Sequence, residues 1–225
     1  LDGALTSVVD LSVSGTSNLG ANVTTSGTQT YTGTTTLSGG DRTLEGTTVN
    51  FGAAVTGTTE HDLTITGNLD LDGALTDVVD LSVSGTSNLG ANVTTSGTQT
   101  YTGAAIISAN ISLTGGSQLT FSSTVDSSDT DGTTDSRTLT TTFTETEFDG
   151  VVGGTYALGA LDINGNLDLD AAITSAASID VSGTSNLGAN VNTSGTQTYT
   201  GATVLSTDVT LTTTDSNVTF SSTVD

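Results

Sequence analysis

VSGTSNLGANVTTSGTQTYTG, Val83 to Gly103, decides the fold. The same 21 residues stand at Val13 to Gly33. They return at Val181 to Gly201 with one change, Asn192 where the first copy has Thr24. Each copy follows a related lead-in: LDGALTSVVDLS from Leu1, LDGALTDVVDLS from Leu71 and LDAAITSAASID from Leu169, so the starts lie 70 and then 98 residues apart. Self-similarity at this level makes the chain a repeat protein before it is anything else.

A shorter repeat runs inside the long one. Apolar–polar–apolar triplets followed by a small residue recur as LSVSG at Leu11, QTYTG at Gln29, LTITG at Leu63, LDING at Leu161 and IDVSG at Ile179, mostly 18 to 21 residues apart. Alternation of this kind marks short strands with one buried face. Glycine four positions on, as at Gly33, Gly67, Gly103 and Gly165, supplies corners. Short strands at this spacing, with few hairpin turn signals, do not suit a sandwich. A coil suits them: each unit makes one rung, and each strand pairs in parallel with its equivalent in the next. The expectation is an all-β parallel β-helix, or β-solenoid, with rungs of about 18–21 residues. It forms one rod over residues 1–225, with long repeats at 1–70, 71–168 and 169–225. Irregular turns are expected at Val49 and Leu119, where the triplet columns fail. The second repeat exceeds the first by 28 residues, and that excess lies in an irregular insertion at about 127–160. Leu139 is the expected start of one inserted rung there.

Composition narrows the function. The net charge is −22, with Arg42, Arg137 and His61 the basic side chains and no lysine or cysteine. Gripping nucleic acid needs clustered Lys and Arg, so this class is excluded, and the same charge argues against binding anionic membrane surfaces. No apolar run approaches the ~20 residues of a membrane helix. Disorder is rejected because the 33% apolar residues are Val, Leu and Ile at fixed spacing. No charged-then-apolar leader precedes Leu1, so a mature fragment or a stretch of something longer is expected. The single histidine, His61, stands between Glu60 and Asp62 on an expected exposed turn, so no nucleophilic triad is expected and the chain is not expected to be an enzyme.

The acidic stretch VDSSDTDGTTD places Asp126, Asp129, Asp131 and Asp135 together, followed by Glu145, Glu147 and Asp149. Oxygen-rich, glycine-broken loops suit Ca²⁺, so the four aspartates are the candidate metal ligands. The match to a D-x-D-x-D-G loop is partial: Ser127 takes the first ligand position and no acid stands at the twelfth. A solvated acidic loop is the blander account. Asp70, Asp72, Asp168 and Asp170 alternate with leucines and are expected to face solvent. Threonines flank Tyr31, Tyr101 and Tyr199, but Asp10, Ser12 and Ser14 interrupt any flat ice-binding array. No cofactor is expected other than Ca²⁺.

TSGTQTYTG and LTITGNLDLDG, with Thr-rich rungs near 19 residues, resemble the repeat region of bacterial filamentous-haemagglutinin-type adhesins and related giant β-strand-repeat surface proteins. The resemblance covers essentially the whole chain and rests on repeat style. It implies a right-handed parallel β-helix, secretion across the outer membrane by a partner transporter, and a fibrous role at the bacterial cell surface. The secretion domain of that family is not recognisable here. The expected function is a structural segment of an extracellular filament, sheath or giant adhesin. Its partner is itself, by head-to-tail stacking or by covalent continuation of the repeats. The alternative is an adhesin shaft whose acidic loops bind Ca²⁺ or a glycan.

Overall fold

The structure, a computed structural model, describes residues 1–58, 60–128 and 135–225. Its 27 strands belong to one continuous sheet, and every pairing between them is parallel. The chain winds as a β-solenoid of about ten coils. Each coil has three faces; most strands are short and keep to one face, while longer ones such as Arg42–Phe51 turn from one face onto the next. On the first face Leu5 pairs with Val23, Val23 with Leu44, Leu44 with Ile65 and Ile65 with Val83. The second face carries Val13, Tyr31, Phe51, Leu71, Leu89 and Ile107 in successive register. On the third lie Ser17, Thr35, Val55, Leu75, Val93 and Leu113.

Alternation explains the burial. In Leu81–Val83 the outer two residues are buried and Ser82 is exposed; Val93–Thr95 and Ser185–Leu187 repeat the inward–outward–inward order. Like side chains therefore stack on like. Tyr31 lies on Phe51 with ring centroids 5.3 Å apart, Tyr101 on Phe121 at 5.1 Å, Phe121 on Phe148 at 5.5 Å and Tyr199 on Phe220 at 5.2 Å, each pair stacked. Such pairs add roughly 0.5–1.5 kcal/mol beyond their buried area.

The long repeat is not a whole number of coils. From Val13, three turns lead through Tyr31 and Phe51 to Leu71, and two further faces, at Leu75 and then Val83, complete the 70 residues. From Val83, four turns lead through Tyr101, Phe121 and Phe148 to Leu169, and Ile173 and Val181 complete the 98. Each copy consequently begins on a different face. The tyrosine–phenylalanine stacks and the flanking threonines rotate with it, so the repeated threonines cannot share one flat surface.

This rotation corrects the expected irregular turns. Val49 pairs regularly with Gln29 and Leu69, and Leu119 with Gln99 and Thr146. The step from Val49 to Leu63 is two faces instead of one coil, so the triplet columns change face there without any break in the sheet. The expected inserted rung is present. Leu139 opens the strand Leu139–Phe148 and pairs with Ile111 below and Leu161 above. The excess of the second repeat is three faces, or one coil, within a wider coil that runs from Phe121 to Phe148.

The core also holds polar side chains where alternation places apolar ones. Gln29, Gln99 and Gln197 are fully buried. Gln99 Nε2 donates to the carbonyls of Val93 and Thr114, at 3.3 and 3.0 Å, and its Oε1 accepts from the Tyr101 hydroxyl at 3.1 Å. The other two glutamines do the same with Tyr31 and Tyr199. Each amide thus bridges a strand carbonyl of its own coil and a carbonyl of the next, so both of its ends are hydrogen-bonded inside the core.

Burial pushes the phenols of Tyr31, Tyr101 and Tyr199 well above the ordinary tyrosine range. The folded chain keeps these protons while the unfolded chain releases them above about pH 10. Stability is therefore complete below that pH and falls as pH rises beyond it, by up to about 1.4 kcal/mol per unit for each phenol. Chemical denaturation at stepped alkaline pH should show this loss. It should be reduced in Tyr101→Phe, which removes one of the three protons.

Candidate functional site

The outward side chains of successive coils form rows, and the acidic residues take their geometry from them. Asp70 sits between Asn50 and Asn88, whose amides donate to its two oxygens at 2.9 and 2.8 Å. Asn186 likewise donates to Asp168 at 2.8 Å. The carboxylates expected to face solvent do so at Asp72 and Asp170, whereas Asp70 and Asp168 are half-buried in amide ladders.

Two of the four candidate metal ligands, Asp126 and Asp135, lie among the described residues. Asp126 points outward from Val125–Ser127, and its Oδ1 accepts from the backbone N–H of Thr155 at 2.7 Å and of Tyr156 at 3.2 Å. It holds the 153–157 loop against the coil below. Asp135 pairs with Arg137 at 3.0 Å and accepts from the Ser128 hydroxyl at 3.0 Å. Asp129 and Asp131 lie outside the described residues.

A different acidic group comes together one coil further on. Glu147, Asp149 and Asp170 bring carboxylate oxygens within 4.8 Å of one another. Strand register causes this: Phe148 pairs with Leu169, so the residues on either side of them are set opposite one another. Gln118 Nε2 and the Thr120 hydroxyl donate to Glu147 Oε2 at 2.8 and 3.0 Å. Partial burial raises the Glu147 pKa, and the charges of Asp149 and Asp168 raise it further against the Thr120 hydrogen bond. Chemically the trio offers hard oxygen ligands on an open surface.

The sign of the Glu147 shift fixes a prediction. A carboxyl whose pKa is raised on folding is stabilised by protonation, so stability falls as pH rises through its titration. Glu147→Gln keeps an acceptor for Thr120 and Gln118 and removes the repelled charge. It should raise the melting temperature slightly at neutral pH. The gain should vanish on acidification below the ordinary carboxylate range; an equal gain at both pH values would contradict the repulsion.

The two arginines differ in access. Arg42 is buried at the start of Arg42–Phe51, where Nε and Nη2 donate to the Ser38 carbonyl at 3.1 and 2.8 Å. The Arg137 side chain is 33% exposed. Trypsin should nick after Arg137 first. A first fragment ending at Arg42, identified by mass spectrometry, would contradict this order.

On the second face, beside the 153–157 loop, lies a cleft of about 580 Å³ floored by Ala104, Ala105 and Ile106 and walled by Asn88, Asp126 and Tyr156. Among the described residues Asp126 meets Thr155 and Tyr156 one coil on, partners that the sequence alone did not signal. Comparison with protein-family models, with curated proteins and with solved structures finds no match to this chain.

Proposed function

We propose that this chain is a non-catalytic rod segment of an extracellular bacterial filament, sheath or giant surface adhesin, extended along its axis by further coils. The observation that carries this reading is that recurring, near-identical segments stack in one parallel ladder wherever they stand along the chain. Leu1 to Thr6 repeats LDGALT of Leu71 to Thr76, and Phe220 to Asp225 repeats FSSTVD of Phe121 to Asp126. Inside the rod, both segments have a coil on each side. Leu71 pairs with Phe51 below and Leu89 above, and Phe121 with Tyr101 and Phe148. A coil of this sequence therefore finds the donors, acceptors and apolar columns it needs on the coil before it and on the coil after it. Axial continuation buries those columns, whether the next coil is covalent or belongs to another copy. Heterologous contacts of this kind do not close on themselves and build filaments. The charge of −22 opposes lateral clumping and leaves salt and divalent cations to tune bundling.

Electron microscopy and light scattering of the native assembly, with and without Ca²⁺ and chelator, test the reading. Rods with a 4.8 Å axial repeat that lengthen end to end are expected. A capped particle that stays at 22.2 kDa at high concentration, with no repeats in its flanking sequence, would defeat it. The second reading, an adhesin shaft with a binding function, is favoured by the cleft and acidic trio beside the inserted coil. Binding of cells or sugars by a monomeric chain through residues 127–160 would select it over the filament.

A further inference from the structure

The 580 Å³ cleft is not isolated. A second hollow of about 280 Å³ lies beside it on the second face, lined by Thr48, Leu69 and Asp70 among others, and the two share Asn88 and Ile106. They form one groove parallel to the rod axis. Its outward row is Asp70, Asn88, Ile106 and Asp126, each residue paired in register with the next. Three strand spacings separate the two carboxylates, about 14 Å. Between them Ile106 is 44% exposed, a large aliphatic side chain on an otherwise polar outer row.

The groove's chemistry is one-sided. No lysine, arginine or histidine lines either hollow. Carboxylates stand at both ends: each Asp70 oxygen accepts one asparagine amide hydrogen and keeps a lone pair, and among the described residues no donor meets Asp126 Oδ2. The first hollow sets Ala104, Ala105, Ile106 and Tyr156 among hydroxyl side chains such as Ser108, Thr124 and Ser127. An anion is repelled by these carboxylates and by the net charge of −22. The complementary ligand has cationic donors at its ends and apolar carbon between them. An ammonium pairs with each carboxylate, methylenes cover Ile106, and the ring of Tyr156 can face the ammonium near Asp126. These 225 residues contain no lysine, so a second copy of them brings no side-chain alkylammonium.

We propose that this groove binds a free linear aliphatic polyamine along the rod axis, with ammonium groups at Asp70 and Asp126. The test is isothermal titration of the 225-residue chain with spermine in physiological salt. A saturable phase is expected, with 1,5-diaminopentane weaker because it cannot span both carboxylates. Asp126→Asn keeps an oxygen to accept from Thr155 and Tyr156, so the loop stays in place while the charge is lost; an unchanged circular dichroism spectrum checks this. It should weaken spermine binding about tenfold or more. Asp180→Asn removes the same charge from an exposed position on the third face and should leave binding within about twofold. The proposal is overturned by the lack of a saturable phase, by equal weakening in both variants, or by no effect of Asp126→Asn. It is also overturned if Nα-acetyl-lysine amide or the neutral sugar maltotriose binds more tightly than spermine.

Discussion

Leu89→Asp should lower the stability of the rod by about 4 kcal/mol or more. Leu89 is 0% exposed and stands in the second-face column between Leu71 and Ile107. Aspartate there removes the leucine's contacts with both neighbours and places a carboxylate where no basic side chain can reach it. A solenoid interior is a one-dimensional stack, so the damage falls on two nearest-neighbour interfaces at once. Thr94→Asp, five residues on, places the same charge on an exposed position and should stay within about 0.5 kcal/mol. Denaturant titration of the two variants separates burial from charge. Equal stability in both would disprove the inward assignment of Leu89.

Gly67→Ala should cost about 3 kcal/mol for a single methyl group. Gly67 has φ +131°, a conformation that side-chain-bearing residues rarely adopt, and an added Cβ would collide with the Gly46 carbonyl oxygen of the coil below. That carbonyl is backbone, so relief requires the two coils to move apart and their ladder to stretch. Gly3→Ala is the matching control: a Cβ there meets nothing within 4 Å, and the change should be nearly neutral. Thermal melts of both variants suffice, and a tolerant Gly67 would mean that the corner is not held as described.

These two sites show how far the sequence is legible. Period-2 alternation identifies Leu89 as inward without any structure, because a strand has only two sides. The corner at Gly67 is legible as a glycine after a triplet, but its reason is not the same at every corner. Gly67 and Gly165 need positive φ, whereas Gly103 is excluded from carrying a side chain by the Gly85 carbonyl beneath it. Gln99 defeats a reading based on hydropathy: its position demands burial and its chemistry suggests exposure. The carbonyls of Val93 and Thr114 that resolve the conflict come within reach only once successive coils are stacked. The acidic trio was hidden for another reason. Glu147 and Asp170 are 23 residues apart in the chain and adjacent in space, and only the length of each coil decides which carboxylates meet.

The third-of-a-turn offset between long repeats has a consequence for how such a gene can change. Recombination between the near-identical copies at Val13 and Val83 would delete or add a 70-residue unit without disturbing any strand, because any face accepts any unit. Length would change freely, but azimuth would not be preserved: everything downstream would point 120° away from its former direction. Three successive duplications restore the heading. A lineage whose binding residues must face one side is thereby held to lengths that differ by three units, while a plain spacer is free to take any.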